Sequence, residues 1–384
     1  MNRRIALYAS SFYPHLGGVE ELVRQLAHAY QKEGDHPVVM TDRWPRTLPS
    51  YEEYEGIPVH RLSMRTPDGG GAARVMFDLF HRETVTESIR ILQDYGSEVI
   101  HVQCGSSSGF YALRAYEELG LPLVVTTQGE QNTEAAGLSH QSEFLATVVE
   151  RLFAEADGVT ACSQSMLDAV ADQYGLDLGA RSSVITNGVD LAEFEDAVPY
   201  QHPRPYVLGI GRLVKPNGLD MLIRAFGEAQ TENLDLLIAG EGPEKGSLYD
   251  CARDAGKASR IFFMGRAERK LAASLLTGCS FFVDPSRHPS RGIASLEAMA
   301  AGKPVIASRA GGNVEVVLDE ETGILVLPDD AGSLAEAISR MASDSALREQ
   351  FGAVGRQRAL EFGWPAIARE YGALYDIVCD GVTG

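Results

Sequence analysis

Asp284–Val317 reads DPSRHPSRGIASLEAMAAGKPVIASRAGGNVEVV. Just ahead of it, Cys279–Val283 (CSFFV) has the length and the aromatic and β-branched content of a buried strand. After a polar turn, Gly292 opens a helical pattern over Ile293–Ala301, which Gly302 and Pro304 end, and Val305–Ala307 reads as the next strand. The first turn of a helix leaves backbone N–H groups without intrahelical acceptors, at the positive end of the helix dipole. Gly292 carries no side chain, so an anion can approach the amides of Gly292, Ile293 and Ala294. Glu297, one turn on, is placed to accept hydrogen bonds from sugar hydroxyls. A helix tip for a diphosphate with a carboxylate beside it for ribose suits a nucleotide-sugar site. An ordinary βαβ unit with a surface glutamate gives the same pattern, and this stretch alone leaves both readings open.

Outward from this unit, strands and helices alternate along the chain, the mark of parallel α/β architecture. Ile5–Ala9, Val38–Thr41, Val99–Val102, Leu123–Thr127, Gly158–Ala161 and Ser183–Thr186 read as strands, with a short one around Pro58–His60. A helix over Ala72 to about Leu92 carries an apolar stripe of Val75, Met76, Leu79 and Phe80, expected to face the core, with an acceptor- or membrane-facing helix as the minor reading. Phe194–Tyr206 (FEDAVPYQHPRPY) breaks the periodicity with three prolines and reads as a linker. Beyond it the alternation restarts with Val207–Ile210, Leu234–Ala239 and Ile261–Met264. Two α/β halves of similar size imply two Rossmann-like domains with a cleft between them, residues 1–195 and 196–363, with an amphipathic tail helix over 364–384.

Other motifs sit at strand ends, where open α/β sheets bind ligands. Gly17-Gly18 precedes the first helix and allows close backbone approach, although many turns carry such a pair for backbone freedom alone. Arg212, in Gly209–Val214 (GIGRLV), is placed for a diphosphate. Gly240–Pro243 (GEGP) and Phe262–Gly265 (FFMG) end two more strands, and by themselves read as turns. Thr127-Gln128 ends a strand of the first half, where Gln128 can bond a hydroxyl but cannot shuttle a proton.

LEAMAAGKPVIAS followed by Gly311-Gly312 and Glu315 resembles the donor-site signature of retaining glycosyltransferases of family 4, which have the GT-B fold. FYPHLGGVE, GIGRLV, GEGP, FFMG and NGVD (Asn187–Asp190) resemble further family segments in the same order. The resemblance implies two Rossmann-like domains facing across a cleft, the tail helix packed back on the first. It implies acceptor binding by the first domain and a UDP- or GDP-hexose on the second. The donor residues it implies are Gly17, Gly18, Arg212, Lys215, Asn217, Glu241, Met264, Arg291, Gly292, Ile293, Ala294 and Glu297, with Glu297, Arg212 and Gln128 nearest the reaction. The expected activity is metal-independent transfer of a hexosyl unit, with retention, to a glycan, glycolipid or small-molecule hydroxyl. Three positions depart from the family: Pro289 stands for a glutamate, Asn217 for a lysine, and Gln128 where many relatives have histidine. They leave room for a catalytically weakened relative that binds a nucleotide-sugar or a partner protein. Arg291, next to the helix tip, is the expected substitute for the missing lysine charge, with Lys215 second.

Composition agrees with an ordinary globular chain: 384 residues, 45% hydrophobic and 23% charged, enough for two full cores. A net charge of −19 argues against binding nucleic acid or anionic membranes non-specifically, beyond peripheral contact through a local basic patch. Five scattered cysteines without a C-x-x-C pair read as reduced thiols, with no metal site suggested. The opening MNRRIALYAS lacks the apolar run of a signal peptide and no run of about 18 apolar residues follows. The expected location is therefore cytoplasmic.

Overall fold

The computed structural model describes residues 2–15, 18–67, 71–128, 142–287 and 292–382. The chain forms two compact units, one of residues 1–185 with 364–384, the other of residues 186–363.

The first unit is built on β1 (Arg4–Ala9), β2 (His36–Asp42), β3 (Tyr51–Tyr54), β4 (Ile57–Leu62), β5 (Val99–Gln103), β6 (Leu123–Thr127), β7 (Gly158–Ala161) and β8 (Ser182–Val184). They form one sheet in the order β3-β4-β2-β1-β5-β6-β7-β8. All pairs are parallel except β3 with β4. The central strands are buried on both faces, which is why they read as unbroken apolar runs. The single strand expected near Pro58 is the second arm of a hairpin, whose turn residues Glu55 and Gly56 have φ of 50° and 81°. Such a two-residue turn matches the strand twist. A glutamate in it hides the turn from sequence.

The helix Gly71–Tyr95 corrects the expected apolar stripe. It buries Phe77, Thr84, Ser88, Ile91 and Leu92, and leaves Val75, Leu79 and Phe80 exposed at 56%, 65% and 40%. Ser88 and Thr84 turn inward because partners wait there: Tyr8 Oη lies 2.6 Å from Ser88 Oγ, and the Ser63 carbonyl accepts from Thr84. Hydropathy carries no sign of such partners.

The last helix, Trp364–Val382, belongs to the first unit, as expected, and buries Ile367, Tyr371, Tyr375 and Val378 there. Arg3 binds its Asp376 at 2.8 Å. Its two tyrosines complete a buried polar spine: Tyr30 Oη–Tyr375 Oη 2.6 Å, Tyr375 Oη–His101 Nδ1 2.5 Å, His101 Nε2–Thr126 Oγ1 2.6 Å and Thr126–Thr160 2.6 Å. Gln103 donates to His101 Nε2 at 3.1 Å, which puts the ring proton on Nδ1, facing Tyr375. No helix among the described residues is long and apolar enough to cross a membrane.

The second unit carries β9 (Tyr206–Ile210), β10 (Asp235–Ala239), β11 (Ile261–Gly265), β12 (Phe281–Asp284), β13 (Val305–Ser308) and β14 (Gly323–Val326), all parallel, in the order β11-β10-β9-β12-β13-β14. The order reverses direction between β9 and β12, the usual position of a ligand in such a sheet. The expected linker Phe194–Tyr206 is not one. The units divide between Ile185 and Thr186, and the proline-rich segment is fastened to the second unit: Phe194 is buried, and Tyr200 N donates to Ser274 O at 2.9 Å. Prolines here mark an extended strap along a surface, a shape that local sequence does not distinguish from a linker.

Burial lowers the pKa of His101 to about 3. A neutral buried histidine stabilises fully above its unfolded pKa near 6.5, and that stability is lost as pH falls toward 3. Between pH 7 and pH 5 the expected loss is about 2 kcal/mol. Denaturant titrations across this range should show that slope in the wild type and a flatter one in His101→Gln.

Candidate active site

The carboxyl edge of the second sheet is assembled from loops that meet backbone to backbone. After β9, Gly211 N donates to Ala239 O, and Leu213 N to Glu241 O. A Cβ on Gly240 would sit 1.8 Å from Gly211 O, and one on Gly242 2.3 Å from Leu213 O. GEGP is therefore more than a turn: its glycines let the loops after β9 and β10 touch. On the other side Gly218, with φ of 64°, lies against the loop after β12, where a Cβ would stand 2.0 Å from Pro285 O.

Arg287 ties these loops together, and the sequence reading passed over it. Its guanidinium binds Asp220 through both oxygens at 2.6 and 2.8 Å, Asp329 at 2.5 Å and the Lys215 carbonyl at 2.9 Å. Burial works against the Asp220 carboxylate, yet Arg287 holds its pKa below the ordinary value. Arg212 and Lys215 are exposed on the loop so held. Asn217 is turned inward: its Nδ2 donates to the Arg212 carbonyl at 2.9 Å. It braces the loop where the family's lysine would carry charge.

The helix Ile293–Ala300 begins at Gly292, whose φ is 69°. A Cβ there would be 2.7 Å from Gly312 O, so the helix tip lies directly on the Gly311-Gly312 turn. Beneath it, Asn313 Nδ2 donates to Asp284 Oδ2 at 3.1 Å and Ser295 Oγ to Asn313 Oδ1 at 2.8 Å. Ser295 and Asn313 are fully buried. Glu297 is mostly buried and pairs with Arg269, which also binds Glu193 at 2.7 Å. Burial opposes the Arg269 charge, and the two carboxylates more than offset it. Burial, with Glu297 adding, raises the Glu193 pKa against the pull of Arg269. The Glu297 carboxylate is thus oriented through Oε1 by a cation that the sequence did not reveal.

Glu241 is exposed and pairs with Lys245 at 3.0 Å, and Met264 is half-buried at the end of β11. In the first unit, Gly18 is the first residue of the helix Gly18–Lys32, and Gln128 is buried after β6, with its Nε2 3.4 Å from Gln103 Oε1. The loop before that helix is braced by Tyr13, which stacks on Tyr54 and donates to Glu21 at 2.5 Å. Burial would raise the Glu21 pKa, but bonds from Arg24, Tyr13 and Gln25 hold it at about 2. Gly17, Pro289 and Arg291 lie outside the described residues. The structure thus gathers Arg212, Lys215, Asn217, Glu241, Met264, Gly292, Ile293, Ala294 and Glu297 on one unit, and Gly18 and Gln128 on the other.

Two family models together match most of the chain: Glycosyltransferase Family 4 over residues 16–193 and Glycosyl transferases group 1 over residues 192–358. The chain belongs to the family 4-like glycosyltransferases of GT-B fold. It is 26% identical to an uncharacterized glycosyltransferase of Methanocaldococcus jannaschii, covering 98% of this chain and 99% of that protein. It is 25% identical to a GDP-mannose-dependent alpha-mannosyltransferase of Mycolicibacterium smegmatis, covering 98% and 97%. Among solved structures, sucrose-phosphate synthase from Thermosynechococcus elongatus superposes with a TM-score of 0.79 at 25% identity, over 99% of this chain and all of that one. An Anabaena protein solved with UDP and glucose shares the fold, at TM-score 0.74 and 21% identity over 98% of this chain and 100% of that one.

Asn313→Ala leaves Asp284 and Ser295 each short of a buried partner. The expected cost is about 2 kcal/mol of stability. A fall in the denaturant midpoint at constant slope is the reading that checks it.

Proposed function

We propose that the chain transfers a hexosyl unit from a UDP- or GDP-hexose on its second unit to a hydroxyl acceptor on its first, with retention and without a metal. The observation that carries this reading is the glycine-led helix at the switch point of the second sheet, with Glu297 one turn inside it and set by Arg269. The first amides of that helix suit the diphosphate, and Arg212 and Lys215 add positive charge to a leaving group that gains negative charge as its bond breaks. In the proposed step the bond from the anomeric carbon to the diphosphate oxygen breaks and a bond to the acceptor oxygen forms on the same face. The acceptor proton passes to the departing diphosphate. Gln128 cannot titrate, so its part is to hold a sugar hydroxyl. The protein's contribution is then position and charge stabilisation.

The engagement of Glu297 by Arg269 and the inward turn of Asn217 favour a second reading, a weakened relative that binds the nucleotide-sugar without efficient transfer. Slow hydrolysis of donor without acceptor separates the two: an intact site permits it, a weakened one does not.

Glu297→Gln should weaken nucleoside diphosphate binding by about 1–3 kcal/mol, the scale for a charged acceptor, and should also lower folding stability, because Arg269 loses one of its two carboxylates. Calorimetric titration of UDP and GDP on both forms tests it, and equal affinities would remove Glu297 from the site.

A further inference from the structure

On the first unit, away from every residue assigned above, β4 and the helix Gly71–Tyr95 enclose a cavity of about 300 Å³. Three arginines line it: Arg43, Arg61 and Arg65. That clustering stands out in a chain with 53 acidic and 34 basic residues. Arg61 is the critical one. Its side chain is 1% exposed, and Nη2 donates to the Tyr13 carbonyl at 2.6 Å and to Glu52. Its Nη1 is buried with no acceptor among the described residues, and so is Nε of Arg65. Arg43 turns its Nε to the Leu48 carbonyl at 2.7 Å.

Buried guanidinium N–H groups without acceptors are costly, and both belong to side chains that line one cavity, which points to an acceptor that arrives with a ligand. Glu52 pairs with Arg61, whereas Arg43 and Arg65 have no carboxylate within ion-pair distance among the described residues, so their forks stay available to an anion. The Phe80 ring lies 5.7 Å from the Arg65 guanidinium and limits where that fork can move. Planar forks held in this way match the oxygens of a phosphate. Glu83 and Glu87, exposed along the helix, also line the cavity. They disfavour a second anionic group and accept from hydroxyls. The volume lies at the lower end for small-molecule pockets, enough for a sugar or polyol.

We propose that this cavity binds a phosphate-bearing polyol, with the phosphate on Arg61 and Arg65 and the hydroxyls toward Glu83 and Glu87. Arg61 also holds the carbonyl of Tyr13, in the loop that leads to the helix Gly18–Lys32, so an occupied cavity stiffens that loop. As an acceptor subsite this rests on the transferase reading. As an anion site it does not.

The test uses the full chain. Calorimetry with inorganic phosphate, glucose 6-phosphate and glucose is paired with sedimentation onto phosphatidylcholine vesicles with and without phosphatidylglycerol. Wild type should bind phosphate and glucose 6-phosphate but not glucose, and Arg65→Gln should weaken both by at least about tenfold. Arg61→Lys, which keeps the buried charge but loses the fork, should do the same with its melting temperature checked alongside. Binding only to phosphatidylglycerol vesicles, lost in Arg65→Gln, supports the site and names a lipid headgroup as its source. No binding in either arm, or binding that both variants retain in full, overturns it. Hydrolysis of UDP- and GDP-hexoses by the wild type is read separately. Its absence counts against the transferase reading and leaves the anion site to stand on the binding data.

Discussion

The second unit depends on the contact between Gly292 and the backbone of Gly312. A helix can start this close to a neighbouring turn only where neither contact residue projects a side chain, and Gly292 meets the need with a left-handed backbone as well. The contact aligns the end of β12, the helix tip and the turn after β13 as one rigid piece. Asn313 locks it from below by bonding at once to Asp284 and Ser295. Apolar packing around it supplies adhesion without direction, whereas these bonds and the glycine contact fix the angle at which the helix amides point.

Around that piece, two arginines set the charged groups of the site. Arg287 draws the loops after β9 and β12 together by neutralising Asp220 and Asp329, and Arg269 holds Glu193 and Glu297 on either side of itself. Arg287 is mostly withdrawn from water, so its pair with Asp220 is worth more than a surface contact of the same length, whereas Arg269 stays exposed and its pairs act by orienting the carboxylates.

In the first unit the comparable device is the spine from Tyr30 to Thr160 through Tyr375 and His101. It joins the last helix of the chain to the middle of the sheet, ending near Gln103 and Gln128. Every polar atom taken into the core at His101 has a partner, which makes the helix position specific where apolar contacts alone tolerate sliding.

The sequence by itself determined the architecture. Unbroken apolar runs alternating with helical stretches specify parallel strands with crossover helices, and Gly292 already marked a helix start open to close approach. The helix tip and Glu297 were legible for the same local reason, since a helix start needs only the residues beside it. Contacts between distant segments were not legible. Arg269 and Arg287 are ordinary surface arginines until the fold brings Glu193, Glu297, Asp220 and Asp329 to them. Ser88 and Thr84 look like a solvent face until Tyr8 and the Ser63 carbonyl are known to lie beneath, and the proline-rich strap looks like a linker until Ser274 is set beside it. Arg61 reads as one charge in a short strand, and only the tertiary structure places it with Arg43 and Arg65 around one cavity. Periodicity reports which face of an element is apolar, whereas the partner of a polar group is a property of two segments, and only folding brings them together.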